Sequence, residues 1–305
     1  MIKFYENIEA ECDRIQKCID RFGWTSDHNL DWFSVCAYRE TGIPVFVEFD
    51  DGSGLLTHKY PDEWSIWSDP LSDKGLAVDK IIEFSSFALG GQIEETWCID
   101  VSDNIYPELK RRGLNTGDIY YSLSWPVLNM NDYSASLPSG HFKDMRNAKN
   151  KFYREHEVVI LDADKVSKAD LLRIVDAWKE NMIKNKKENA QDIYDLKYRN
   201  IISNDFKGFS TSRVLVVDGQ ATGINAGYKT QHHPGRFAGV VGLHDYSVRD
   251  LGTILWLEDL DWIKKAGYKE LDMQGSEDDG GLKLKLRFGA KIERKTDAFA
   301  IKPTS

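Results

Sequence analysis

The stretch FAGVVGLHDYSVRDLGTILWLEDLDWIKKAGYKELDMQ, from Phe237 to Gln274, decides how this chain is read. Its head, Phe237–Leu243, is a short apolar run that stops at a polar turn, which predicts a buried strand. From about Thr253 to Lys265 apolar residues recur at helical spacing, and Gly267 closes the helix. Glu270–Gln274 then predicts a second strand. Oriented N–H groups at a helix start favour an anion, so the turn from Val248 through Arg249 and Gly252 to Ile254 is a candidate phosphate cradle. Ile254 is its awkward member, because close phosphate approach prefers a tiny residue.

Working outward, Val214–Val217 and Thr222–Tyr228 flank an Asp218-Gly219 turn and predict a hairpin. Lys168–Lys184 predicts a helix on the stripe Leu171, Leu172, Ile174, Val175 and Trp178. Val158–Leu161 predicts a strand, and about Ser139–Glu155 a basic helix. Beyond Gln274, Gly281–Arg287 predicts a short helix and Glu293–Ile301 a last strand. The first half shows the same order: a helix over Phe4–Phe22, then strands at Trp32–Tyr38, Val45–Phe49, Leu55–Tyr60 and Trp64–Trp67. Helix Gly75–Leu89, strand Thr96–Val101, helix Tyr106–Arg112 and strand Ile119–Trp125 complete it. Two copies of one order point to a duplication. Pro126, Pro138 and nearby polar residues set the expected boundary: one domain over residues 1–135, another over 136–305, with 139–155 as the linking helix.

A length of 305 residues suits two cores better than one. The net charge of −9 is uneven: −13 over residues 1–140, +3 over 141–200 and +1 over 201–305. An anionic ligand should therefore meet the middle or the second half. Cys12, Cys18, Cys36 and Cys98 form no C-x-x-C pair, so reduced structural thiols are expected, and no metal. No stretch approaches the roughly 18 apolar residues of a membrane span, and the N-terminus lacks the apolar centre of a signal peptide. The expected location is the cytoplasm.

Three motifs carry a resemblance. Leu137-Pro-Ser-Gly140-His-Phe142-Lys143-Asp-Met-Arg146-Asn147, continuing to Asn150-Lys151-Phe152, is the first; Leu284-Lys285-Leu286-Arg287-Phe288-Gly289 is the second. The third runs from Gly252 to Gly267 and on to Leu271-Asp272-Met273. Together they resemble the C-terminal domain family of phosphatidylglycerol lysyltransferases and its soluble relatives, with Fem-type peptidyl transferases as more distant cousins. The match covers roughly Trp64 to Ile301, departs at Leu284 where the family often has Phe, and lacks the long membrane part of the true lysyltransferases. It implies an α/β (α+β) fold of two tandem GNAT-like domains, each a mixed, mostly antiparallel sheet flanked by helices. It further implies an acyl donor held where the fourth and fifth strands of the second domain splay apart.

On that basis the expected donor is acyl-CoA or aminoacyl-tRNA, used as a co-substrate with no tightly bound cofactor, and the acceptor an amine or hydroxyl of a small molecule or peptide. Lys285 is the candidate oxyanion donor. His244, Asp245 and Tyr246, just after strand Phe237–Leu243, are candidates for proton transfer. Arg249, Gly252 and Thr253 are candidates for the donor's phosphates, joined by Lys143, Arg146 and Lys149 on one face of the basic helix. Gln274, Ser276 and Glu277, with Asp278 and Asp279, are candidates for orienting the acceptor. In the first domain Ser68–Gly75 is a poor phosphate cradle, with two carboxylates and a proline, so that domain is expected to be non-catalytic. A non-catalytic binding or protein-interaction module is the alternative reading, favoured by Ile254 and the lack of an obvious base.

Overall fold

The computed structural model describes residues 2–35, 42–91, 93–186, 195–277 and 280–303. The first half runs β1 (Ile2–Tyr5), α1 (Cys12–Phe22), α2 (Leu30–Val35), β2 (Ile43–Phe49), β3 (Gly54–Lys59) and β4 (Glu63–Ile66). It continues with α3 (Ala77–Leu89), β5 (Glu95–Ser102), α4 (Ile105–Arg111) and β6 (Tyr121–Asn129). After the linking helix α5 (Lys143–Glu155) the order recurs: β7 (Val158–Asp162), α6 (Lys168–Lys186), α7 (Leu196–Ser203), β8 (Thr211–Val217), β9 (Gln220–Lys229) and β10 (Arg236–His244). Then come α8 (Leu251–Lys265), β11 (Glu270–Asp272), α9 (Gly280–Arg287) and β12 (Lys291–Ile301).

Among the described residues twelve strands form one sheet, ordered β1-β2-β3-β4-β5-β12-β6-β11-β10-β9-β8-β7. Pairing is antiparallel except between β4 and β5 and between β10 and β11, the equivalent pairs of the two halves. This is a tandem GNAT-like architecture, with one departure from the expected linear division. The last strand of each half sits in the other half's sheet. β12 lies against β5, and β6 lies against β11. The cores follow the exchange. Phe299 and Ile301 of β12 are buried among Val101, Ile105 and Leu109 of the first half. Leu128 and Met130, at the end of β6, are buried with Phe237, Leu257 and Leu271 of the second. A boundary at 135/136 thus cuts the chain between two units that each need a strand from beyond it.

Three local expectations change. Phe4–Phe22 is not one helix: β1 pairs its first residues with β2, and α1 begins only at Cys12. Trp32–Val35 lies in helix α2, where Trp32, Phe33 and Val35 are all buried, so an apolar run free of alternation imitated a strand. Residues 36–38 of that expected strand, Cys36 among them, lie outside the described residues. Helix α7, against α6, had not been anticipated. Cys18 and Cys98 are buried, and burial pushes the Cys18 thiol up to about 12. No group of described residues could hold a metal ion, and no described helix is long and apolar enough to cross a membrane.

Candidate active site

β10 and β11 are hydrogen-bonded only over Arg236–Glu270, Phe237–Leu271 and Ala238–Asp272. Beyond that point β10 stays with β9 as far as His244, with a register shift between Gly239 and Val241. The chain after β11 continues along β6, with which β11 is already paired, and leaves β10. Met273 N donates to Pro126 O (3.1 Å), and Ser276 and Ser124 exchange backbone bonds of 2.9 and 2.8 Å. Gln274 makes the turn at φ +62°. The two strands therefore part into a V, and the edge of β10 from Gly239 onward faces a cleft of about 240 Å³. Gly239 lines its narrow end with Leu271 and Asp259; His244, Tyr246 and Gly252 line its mouth.

At the mouth, Gly252 in the first turn of α8 has a steric reason to be glycine. A Cβ there would lie 2.8 Å from His244 Nε2, so the imidazole rests on that turn. Burial lowers the His244 pKa to about 4, with Asp245 pulling weakly the other way, so the ring is neutral at physiological pH. The Tyr246 ring lies 4.0 Å from it. Asp245 accepts from Ser247 N and shapes the loop. Arg249 is 85% exposed, 3.7 Å from the carboxylate of its neighbour Asp250. Ile254 points away from the loop into the core beside Leu215 and Leu251, so it does not crowd the helix start.

At the narrow end stands a pair the sequence did not reveal. Asp259 of α8 is buried and bonds Arg213 Nη2 at 2.6 Å, and the Arg213 guanidinium lies 4.7 Å from the centre of the Trp262 ring. Burial works against both charges, holding Asp259 up at about 6 despite its partner and pushing Arg213 down. In sequence Asp259 looks like one more surface acid of Glu258-Asp259-Leu260-Asp261. Its position on the buried stripe, between Leu255 and Ile263, was the available signal.

Lys285 is 8% exposed, and its Nζ donates to Gln274 O (2.9 Å) and Ser276 Oγ (2.6 Å). It is thus brought to the segment that forms one arm of the V. Gln274 lines the cleft, Ser276 is held by Lys285, and Glu277 is exposed; Asp278 and Asp279 lie outside the described residues.

The basic face of α5 departs from expectation. Arg146 Nη1 donates to Leu137 O and to Ser139 O (2.6 Å), tying down the linker. Lys149 pairs with Asp261 of α8 at 3.1 Å. Both side chains are half-buried, Arg146 on neutral carbonyls and Lys149 on the carboxylates of α8, while Lys143 is the exposed one of the three.

The equivalent V of the first half is tied shut. β4 and β5 pair in parallel as far as Ile66–Cys98. Past it the Asp69 carboxylate takes Ser102 N (2.9 Å) and Ser102 Oγ (2.8 Å). Asp69 O also accepts from His28 Nε2 at 2.9 Å, while His28 Nδ1 accepts from Trp24 N, which fixes the tautomer. Burial lowers the His28 pKa to about 3, so the imidazole of this plug is neutral.

Nearby Asp100, at φ +52°, has an unbonded buried Oδ1. Burial, then the Asp27 charge, raises it from 3.8 to about 7. A carboxyl raised on folding lends stability that is complete below its unfolded value and lost as pH climbs through the folded one. Asp100→Asn, tolerant of positive φ, should therefore raise the melting temperature by an amount that grows between 3.8 and about 7 and is level above. Melting curves across that range check it; a gain independent of pH would exclude the charge as its source.

No family model matches the sequence, and no curated protein matches it either. Solved structures do match in fold. A conserved protein of unknown function from Bacteroides thetaiotaomicron is 19% identical with a TM-score of 0.68, covering 99% of this chain and 100% of that one. The C-terminal domain of a protein named as a lysylphosphatidylglycerol synthetase, from Agrobacterium fabrum, is 13% identical with a TM-score of 0.62, covering 97% and 92%. A tandem GNAT protein from the clavulanic acid biosynthesis pathway is 11% identical with a TM-score of 0.61 over the whole of both chains. At these identities the likeness is one of fold, and it is the fold that the motifs implied.

Proposed function

We propose that this tandem GNAT-like chain is an acyltransferase whose second-half V receives an activated acyl or aminoacyl group, from acyl-CoA or aminoacyl-tRNA, and passes it to an amine. The observation that supports this most is the parting of β10 from β11 after Ala238–Asp272, which leaves a strand edge free to hydrogen-bond an extended donor. In the transfer step the amine nitrogen bonds the carbonyl carbon as the bond from that carbon to the carrier's sulfur or oxygen breaks. The carrier leaves with the electron pair, and the proton shed by nitrogen balances its charge.

The chain's own groups have definite tasks in that step. At the start of α8 Gly252 offers its N–H and Arg249 a cation to the donor's phosphates, beside Thr253, whose own N–H is taken by Asp250 O at 3.0 Å, with Lys143 as an outlying cation. Lys285 holds the Gln274–Ser276 arm and sets its ammonium toward the carbonyl oxygen on which negative charge develops. Neutral His244 and Tyr246 line the mouth, where Asp245 shapes their loop. Gln274, Ser276 and Glu277 border the acceptor's side.

The test is direct binding of acetyl-CoA and, separately, of charged tRNA to the whole chain and to Gly239→Phe. A Cβ at Gly239 meets Leu271 only at 3.4 Å, so the backbone tolerates a side chain whose bulk then fills the cleft. One donor should bind the native chain and bind the variant about tenfold or more weakly. If neither donor binds, the second reading gains: a non-catalytic module, favoured by the His244 ring lying on the helix turn where a phosphate would sit.

A further inference from the structure

On the face of the sheet opposite α8, a second cavity of about 230 Å³ lies where the two halves meet. That is the room of about eight waters, enough for a ligand the size of an amino acid. β11 is its shared wall with the V. Side chains alternate across a strand, so Leu271 and Met273 face the V and α8 while Asp272 faces this cavity. The other walls come from both halves: Trp24, Ser26 and Lys74 from one, Arg236 from the other, with Trp125 and Arg294 from the exchanged strands β6 and β12.

The charges of this cavity are unequally satisfied. Arg236 is paired with Glu270 and Glu293 at 2.9 and 2.8 Å. Asp272 is 4% exposed, yet its bonds are to neutral donors, Ser26 Oγ and Gln274 N, both at 2.8 Å, with no cation within ion-pair distance among the described residues. Arg294 is the complement. Its Nη2 bonds Asp27 at 2.6 Å and its guanidinium stacks 3.7 Å from the Trp125 ring centre, but its Nη1 is buried without a partner. At the rim the Lys74 ammonium sits 3.9 Å over the Trp24 ring. Buried polar groups are normally paired. One cavity thus presents a carboxylate short of a cation and a guanidinium short of an acceptor.

We infer that this cavity binds a free α-amino acid. Its ammonium lies on Asp272, its carboxylate on Arg294 Nη1 with Lys74 at the rim, and its side chain between Trp24 and Trp125. A simple amine would leave the guanidinium orphaned, and a simple carboxylic acid would leave Asp272 without a cation.

The experiment is calorimetric titration of the whole chain, without donor, with each of the common L-amino acids. At least one should bind, and its amide and its N-acetyl form should each bind about tenfold or more weakly, having lost one charge. Asp272→Asn keeps both hydrogen-bonding positions, so it should fold. It should weaken the amino acid to the level of the N-acetyl form while leaving the N-acetyl form unchanged. Lys74→Ala, at the exposed rim, should weaken the amino acid but not its amide. No binding by any amino acid, equal binding of parent, amide and N-acetyl forms, or an unaltered affinity in Asp272→Asn would each overturn the inference. Since no donor is present, those results leave the V untouched, and failure of donor binding leaves these titrations standing.

Discussion

A chain ended after Phe288 is expected to lose the folded state of its first half, although every residue of that half is still present. β12 lies between β5 and β6, so its removal opens both strands at once. Phe299 and Ile301 leave a core in which they are 0% and 2% exposed, at a cost of roughly 1.5–3 kcal/mol each. Thr296 gives up its bond from Trp125 Nε1, and the ladders on both sides go with it. Against a total stability of about 5–15 kcal/mol for a typical domain, the sum is ruinous. Circular dichroism and gel filtration of residues 1–288, and of residues 1–135 alone, check this. A cooperative native-like melt from either fragment would show that the exchange is dispensable.

The second large effect is expected at Lys285. Lys285→Met keeps the length of the side chain but removes the ammonium from Gln274 O and Ser276 Oγ. Turnover should fall by about 10²–10³, the usual loss when one donor to a developing oxyanion is deleted. Stability should fall too, by about 1 kcal/mol, since a part-buried carbonyl is left without its partner. Lys285→Arg should recover the stability more fully than the rate, because a planar guanidinium cannot place its charge where an ammonium sat. The measurements are kcat and melting temperature for the three chains with whichever donor binds. A full rate in Lys285→Met would reduce the residue to a structural tie.

Much of this was legible beforehand, and the reasons differ by residue. The strand–helix–strand of Phe237–Gln274 was plain because a short apolar run, a long apolar-rich helix closed by Gly267 and a second short run follow one another between polar turns. The Asp218-Gly219 hairpin was plain because both residues need positive φ, and both have it. Helix α2 was not, because six residues are too few for a period to show, and its polar face is only Asp31 and Ser34. The partners that the basic face of α5 finds within the chain were not legible. Spacing says that Arg146 and Lys149 are neighbours, not that Leu137 O and Asp261 wait opposite them. Strand exchange is out of reach of any local pattern, since β6 and β12 would have the same alternation whichever sheet they joined. The Asp272–Arg294 cavity is hidden for a related cause: its members lie far apart in sequence, and each looks unremarkable alone.

The crossing of the two end strands also says something about origins. A half-length precursor with this strand order would carry an open seam beside its fifth strand and a last strand with nothing to lean on. Two such molecules, trading those strands about a twofold axis between them, would close both seams. The present polypeptide is then an obligate pair made permanent by a covalent tether, after which one copy was free to knot its cleft with Asp69 and Ser102 while the other kept its own ajar.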